Sequence, residues 1–289
     1  MSKTRIEWTE HTWNPMSGCT KISDGCKNCY AEKMANRLKA MGVKGYENGF
    51  AVTLHPEKLR EPLERKKPTM YFVSMGDLFH EDVPFSFIKE VFLMMGYANQ
   101  HTYQIPTKRP ERMREFILWF MDKIPAIEGE KRRFENWSNN IWLGVTAENQ
   151  EQADKRIPLL LDTPAAVRFV SIEPMLSHID LTKYLVRYRC YSCGQESLES
   201  PDKCPSCGHS ELGDKYFSSA IDWVIVGGET GAGARPLRYQ WVKDIQEQCE
   251  AANVPFLFKK WGKLGQIDKT LIDGYIDGVE CRAMPEVKQ

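Results

Sequence analysis

Nine cysteines occur in this chain, and seven of them fall into two groups. Cys19, Cys26 and Cys29 lie within eleven positions, in SGCTKISDGCKNCY, with no fourth cysteine nearby. Cys190, Cys193, Cys204 and Cys207 form two Cys-x2-Cys pairs separated by ten residues. Outside an oxidising compartment, grouped thiols hold metal or do redox work more often than they form disulfides. The second group has the spacing of a zinc ribbon: four thiolates surround a tetrahedral ion, and Gly194 and Gly208 free the backbone to turn about the sulfurs. Zn2+ is the expected ion there, with mononuclear iron as the alternative. The first group allows two readings. With His11 or His80 as a fourth ligand it would make a second zinc site. Alone, three thiolates would hold a [4Fe–4S] cluster and leave one iron open to a small molecule.

Composition bounds the class of protein that could use such sites. With 289 residues, 42% hydrophobic and 27% charged, the chain is expected to be globular, as one large α/β domain or two modest ones. The start, MSKTRIEWTE, has no apolar core of a signal peptide, and no run approaches the ~18 apolar residues of a membrane span. A cytoplasmic protein is expected. Lys and Arg balance Asp and Glu, so the formal charge is zero, which argues against a surface basic all over. Arg65-Lys66-Lys67, Lys108-Arg109, Lys131-Arg132-Arg133 and Lys259-Lys260 read mainly as solvated faces. Cys249 falls on an apolar helix face with Trp241, Val242, Ile245 and Ala252, and reads as core. Cys281 carries no signal.

The elements that would position these cysteines alternate. Strand-like runs are read at 70–75, 101–107, 140–146, 167–174, 222–228 and 255–262. Helical patterns lie between them, including one with Phe87, Ile88, Val91, Phe92 and Met95 on a face and another at 240–252. The runs are continuously apolar rather than alternating, as in parallel strands buried on both sides. A barrel and a doubly wound sheet both fit this pattern. The strand ends favour the barrel, because Ser74 and Asp77, Lys108 and Arg109, Thr146 and Glu148, Ser171 and Glu173, Glu229, and Lys259 all follow apolar runs. In a barrel those ends converge on one mouth, where active sites are built. Each could instead cap the following helix, a role that suits Thr146 and Glu148. The expected fold is therefore a partial or full TIM-like barrel over 1–289, with a zinc ribbon inserted at 187–217. The helix after the three cysteines is predicted to start at Tyr30 and stop at Gly42.

A three-cysteine loop at the start of such a barrel resembles the radical S-adenosylmethionine (SAM) superfamily. IEWTEHTWNPMSGC, GCKNCYA, FVSMGDLFHEDVP, TKRPERM, NIWLGVTAENQ, RFVSIEP, DWVIVGGETG, GARP and FKKWG resemble, more closely, an uncharacterised phage- and prophage-associated branch. The likeness spans nearly the whole chain except 123–139 and the C-terminal tail. Two departures stand out: the cysteines have six and two intervening residues where three and two are usual, and Asn28 stands where an aromatic residue usually precedes the last cysteine.

The resemblance implies that Cys19, Cys26 and Cys29 hold the cluster, that SAM chelates its open iron, and that one electron cleaves SAM to methionine and a hydrogen-abstracting 5′-deoxyadenosyl radical. Tyr30 would meet the adenine. Ser74 and Asp77 match the motif that meets the SAM amino group, and Gly227, Gly228 and Glu229 offer the same chemistry on a later strand. For the Gly-Gly pair, a tight strand-to-helix turn is the plain alternative. Thr146 and Glu173 complete the candidate SAM set. Lys108, Arg109 and Arg235 would hold an anionic substrate, or else pair with mouth carboxylates such as Asp77, Glu173 or Glu229. A flavodoxin- or ferredoxin-type donor would supply the electron, and a nucleotide or nucleic-acid base is the candidate substrate. The competing function is a non-enzymatic zinc-binding module for nucleic acid or protein, with zinc at both cysteine groups. A simple electron carrier would leave the polar mouth without a use.

Overall fold

The computed structural model describes residues 2–4, 6, 8–73, 75–123, 137–185, 188–189, 196–197, 206–208 and 221–286. Eight strands form one sheet: β1 Ser2–Lys3, β2 His11–Thr12, β3 Met70–Phe72, β4 Thr102–Thr107, β5 Ile141–Thr146, β6 Val167–Ile172, β7 Trp223–Gly227 and β8 Phe256–Lys260. β1 and β2 pair antiparallel; from β2 to β8 the seven strands are parallel and lie in chain order. A doubly wound sheet reverses its strand order partway, whereas a barrel does not. The strand order thus decides for the barrel; β1 and β8 end the sheet, and the outer side of β8 is bridged antiparallel by Arg282.

Side-chain packing shows that the sheet is curled. Trp8 lies edge-on to Phe72 of β3, with centroids 4.6 Å apart, and to Trp223 of β7 at 5.7 Å. β3 and β7 are four strand spacings apart, about 19 Å on a flat sheet, which one indole cannot bridge. The concave face therefore wraps Trp8. Trp142, Phe169 and Leu257 join this inner cluster, and Gln104 donates to the Trp8 carbonyl (3.3 Å). Gly144 is required on this face: a Cβ there would lie 2.3 Å from the Phe169 ring.

The convex face carries the alternate residues of the same strands, Tyr71, Tyr103, Ile105, Leu143, Val145, Val170, Ile172, Val224 and Val226, in one large core. Helices α2 Phe85–Tyr97, α3 Pro110–Lys123, α4 Gln150–Leu161 and α5 Tyr239–Ala251 flank the strands in sequence. α2 buries Ile88, Val91, Phe92 and Met95, and α3 buries Met113, Phe116, Ile117 and Phe120. Burial on both faces accounts for the continuous apolar runs.

The strand expected over 70–75 stops pairing at Phe72, where a bridge between Gly18 and Gly76 takes over. That expected over 255–262 pairs only over Phe256–Lys260. Ser74, Cys190, Cys193 and Cys204 lie outside the described residues, as does most of the insertion at 187–217; Cys207 is described and exposed. Among the described residues no helix is long and apolar enough to cross a membrane.

Candidate functional site

The first cysteine is placed by two glycines. Gly18 has φ +90, and a Cβ on it would sit 2.2 Å from the Ala51 carbonyl oxygen; a Cβ on Gly76 would sit 2.7 Å from that of Gly18. This close approach brings Cys19 beside Gly76-Asp77 at the C-terminal end of β3. From there the chain passes through a short turn at Asp24–Cys26 to Cys29, which occupies the position preceding helix Tyr30–Ala40 (α1). Ala31, Ala35, Tyr46 and Met75 pack together beneath, with Cys29 and Met34 against them. All three thiols are partly exposed.

Three strand ends then grip the loop. From the end of β4, Arg109 donates to Cys19 Sγ (3.2 Å), Thr20 O (3.3 Å) and Thr20 Oγ1 (2.8 Å). The same guanidinium pairs with Asp77 (3.2 Å) and Glu81 (2.8 Å). Burial, with the Asp77 carboxylate close by, pushes the Cys19 thiol up to about 11, while Arg109 opposes the rise. From the end of β5, Glu148 accepts from the Gly25 backbone N–H (3.0 Å) and pairs with Arg156 at 2.9 Å, both side chains being almost fully buried. Burial pushes the Glu148 carboxyl up, but bonds from Ser23 and Gly25 and the Arg156 charge hold it below the ordinary range. From the end of β7, Glu229 accepts from Asn28 Nδ2 (2.9 Å) and from the Arg235 N–H (2.8 Å), Nε (3.0 Å) and Nη2 (2.7 Å). Arg235 also donates to the Asp24 carbonyl (3.0 Å), and Asn28 to that of Gly233 (2.9 Å).

These contacts place the candidate residues in distinct roles. Asp77 is buried and fully occupied, accepting from Phe79 N, Thr107 Oγ1, Lys108 N and Arg109. Glu173 pairs with Lys259 (2.9 Å) and Lys260 (3.1 Å). Thr146 is buried, and its carbonyl accepts from Arg156. Gly228 faces the Trp261 backbone so closely that a Cβ would lie 2.5 Å from its oxygen, and the Gly227 carbonyl accepts from Met175 N. Tyr30 is 69% exposed, and Lys108 is half-buried with no ion pair among the described residues. Glu81, Arg156 and Thr20 were not singled out by the sequence, and Asn28 only as a departure from an aromatic position, yet all four complete the clamp.

Zinc and an iron–sulfur cluster ask different things of this donor set. His80 accepts at Nδ1 from Asp82 N (3.1 Å), which assigns its proton to Nε2, 2.9 Å from Thr20 Oγ1. Neither nitrogen is left to bind an ion. His11 lies on β2 beside Tyr71. Among the described residues no three His, Cys, Asp or Glu side chains close round a single ion. A four-iron cube takes each thiolate on a different iron, and three free, partly exposed thiols on one loop suit it in kind.

The Glu229 clamp should be visible in acid. Burial raises its carboxyl, but the bonds from Arg235 and Asn28 prevail and bring it down to about 2 from 4.5. A depressed pKa contributes stability at pH above the unfolded value, lost as pH falls through the folded one. Wild-type protein should lose about 2 kcal/mol between pH 5 and pH 2 through this group, after allowing for solvent on the Arg235 side. Urea unfolding of Glu229→Gln against wild type over that range checks this: equal pH slopes would remove the assignment.

A family model described as "Protein of unknown function (DUF5131)" matches residues 3–285. No curated protein matches the chain. Among solved structures, spore photoproduct lyase complexed with dinucleoside spore photoproduct matches with TM-score 0.40 and 10% identity, over 61% of this chain and 49% of that one. A mutant of that lyase with bound AdoMet and dinucleoside spore photoproduct gives 0.39 and 12%, over 61% and 49%. A further mutant gives 0.39 and 11%, over 63% and 50%. The match thus covers about half the length of those proteins, and a likeness this distant says nothing about chemistry.

Proposed function

The chain belongs to the DUF5131 family, and from the seating of its three cysteines we propose that it is a radical SAM enzyme. The observation that carries this reading is the loop bearing Cys19, Cys26 and Cys29, clamped over the mouth of the curled sheet by Arg109, Glu148 and Glu229 from three strand ends. A loop used only as a structural zinc staple has no need of that position. Cys19, Cys26 and Cys29 would hold the cluster, which together with SAM supplies one-electron cleavage and hydrogen-atom abstraction when bound. The residues of this chain position the thiols and shape the mouth. Asp77, Glu148 and Glu229 spend their lone pairs on the loop and its arginines, which makes them supports of the site. Tyr30 is left for an adenine. Lys108 offers a point charge for a phosphate, consistent with a nucleotide or nucleic-acid substrate. An external flavodoxin- or ferredoxin-type donor would provide the electron.

Metal and sulfide analysis after anaerobic reconstitution tests the reading. Wild-type protein should be brown, with about four irons and four sulfides and, separately, zinc at Cys190, Cys193, Cys204 and Cys207. In Cys207→Ala the zinc should be lost and the cluster kept, since three ligands cannot close a tetrahedral site. A colourless protein with zinc at both groups would replace the enzyme with the zinc-binding module.

A further inference from the structure

Arg109 has no donor to spare. Of its five N–H groups, Nε binds Glu81, Nη1 binds Cys19 Sγ and Asp77, and Nη2 binds the carbonyl and hydroxyl oxygens of Thr20. A substrate anion would have to displace one of these partners. The guanidinium is also held from behind: Thr107 Oγ1 donates to Asp77 (2.6 Å) and accepts from the Arg109 N–H (2.9 Å). Among the described residues only Cys19 receives a hydrogen bond from a charged donor. Cys26 Sγ lies 3.9 Å from Ser23 Oγ, and no side-chain donor to Cys29 is found among the described residues.

We propose that Arg109 is a positioning residue that sets the reduction potential of the cluster, through its hydrogen bond to the Cys19 sulfur. This rests on the cluster reading above. Reduction adds one electron to the cluster, and a fixed N–H donor with positive charge at a ligand sulfur stabilises the more negative state. Removing Arg109 takes away that donor and leaves Asp77 uncompensated beside the sulfur. Both effects make the cluster harder to reduce.

The test is a potentiometric titration of anaerobically reconstituted protein followed by electron paramagnetic resonance, with no SAM and no substrate present. In Arg109→Gln the midpoint should fall by at least the equivalent of tenfold in the reduction equilibrium, about 59 mV for one electron. Arg109→Lys keeps the charge without the fork and should fall less. Glu81→Gln removes a negative charge from the same guanidinium and should move the midpoint upward, a result that a merely loosened loop would not give. An unmoved midpoint in Arg109→Gln with a full cluster overturns this proposal alone. Loss of the cluster in both Arg109 variants also overturns it, assigning the residue to folding. A wild-type protein that takes up no cluster overturns both this and the reading beneath it.

Discussion

Cys19→Ala, Cys26→Ala and Cys29→Ala should each abolish the cluster absorbance and bring SAM cleavage to the uncatalysed level, while zinc in the insertion stays. The expected effect is this large because the loop has no substitute ligand. His80 has both ring nitrogens engaged, and Cys249 and Cys281 are buried in the convex core. Two thiolates would then face a cube that needs a third. The fold should survive, since the three thiols are partly exposed and such substitutions usually change stability by less than about 0.5 kcal/mol. Circular dichroism should therefore be unchanged where iron is lost. A full cluster in all three variants would sink the assignment.

Glu148→Ala should produce the largest loss of stability. Glu148 and Arg156 are 0% and 3% exposed at their side chains and lie 2.9 Å apart. Removing one member of a buried pair leaves the other charged and unpaired, at a cost of about 3–5 kcal/mol. For a domain of this size that is a fall in Tm of roughly 10 °C. Because Glu148 also accepts from Gly25 N, the same variant should loosen the cysteine loop and speed alkylation of its thiols. Replacing both partners by Met should recover most of the Tm, since no uncompensated charge remains, but not the slow alkylation. If Glu148→Ala melts with wild type, the pair is not a support of the site.

The barrel was legible because its strands are buried on both faces and its polar residues gather at strand ends. The start of α1 at Tyr30 and the buried Cys249 follow from the same periodic reasoning. Glu148 misled it. Beside a helix start, its carboxylate reads as a cap; in the structure Asn149 caps α4 by accepting from Gln152 N, and Glu148 turns to a loop 123 residues earlier. Tertiary partners decided its role, and local sequence does not contain them. Arg156 did carry a signal. It lies on the face of Ala153, Ile157 and Leu160, so an arginine interrupts an apolar stripe and must find a buried anion. Trp8 gave none, because its inner packing depends on strands 64 and more residues later. Asn28, read as a departure from an aromatic position, is a latch between the loop and Glu229.

The clamp has a consequence for how the protein is made. The three thiols leave the ribosome early, but their partners Arg109, Glu148, Glu229 and Arg235 follow much later, up to 211 residues along the chain. At about 5–20 residues per second, the last of them is synthesised on the order of 10–40 s after Cys29. Throughout that interval the native seat does not exist. On the cluster reading, metal is expected to load after synthesis, once the end of β7 and Arg235 are present to close the loop.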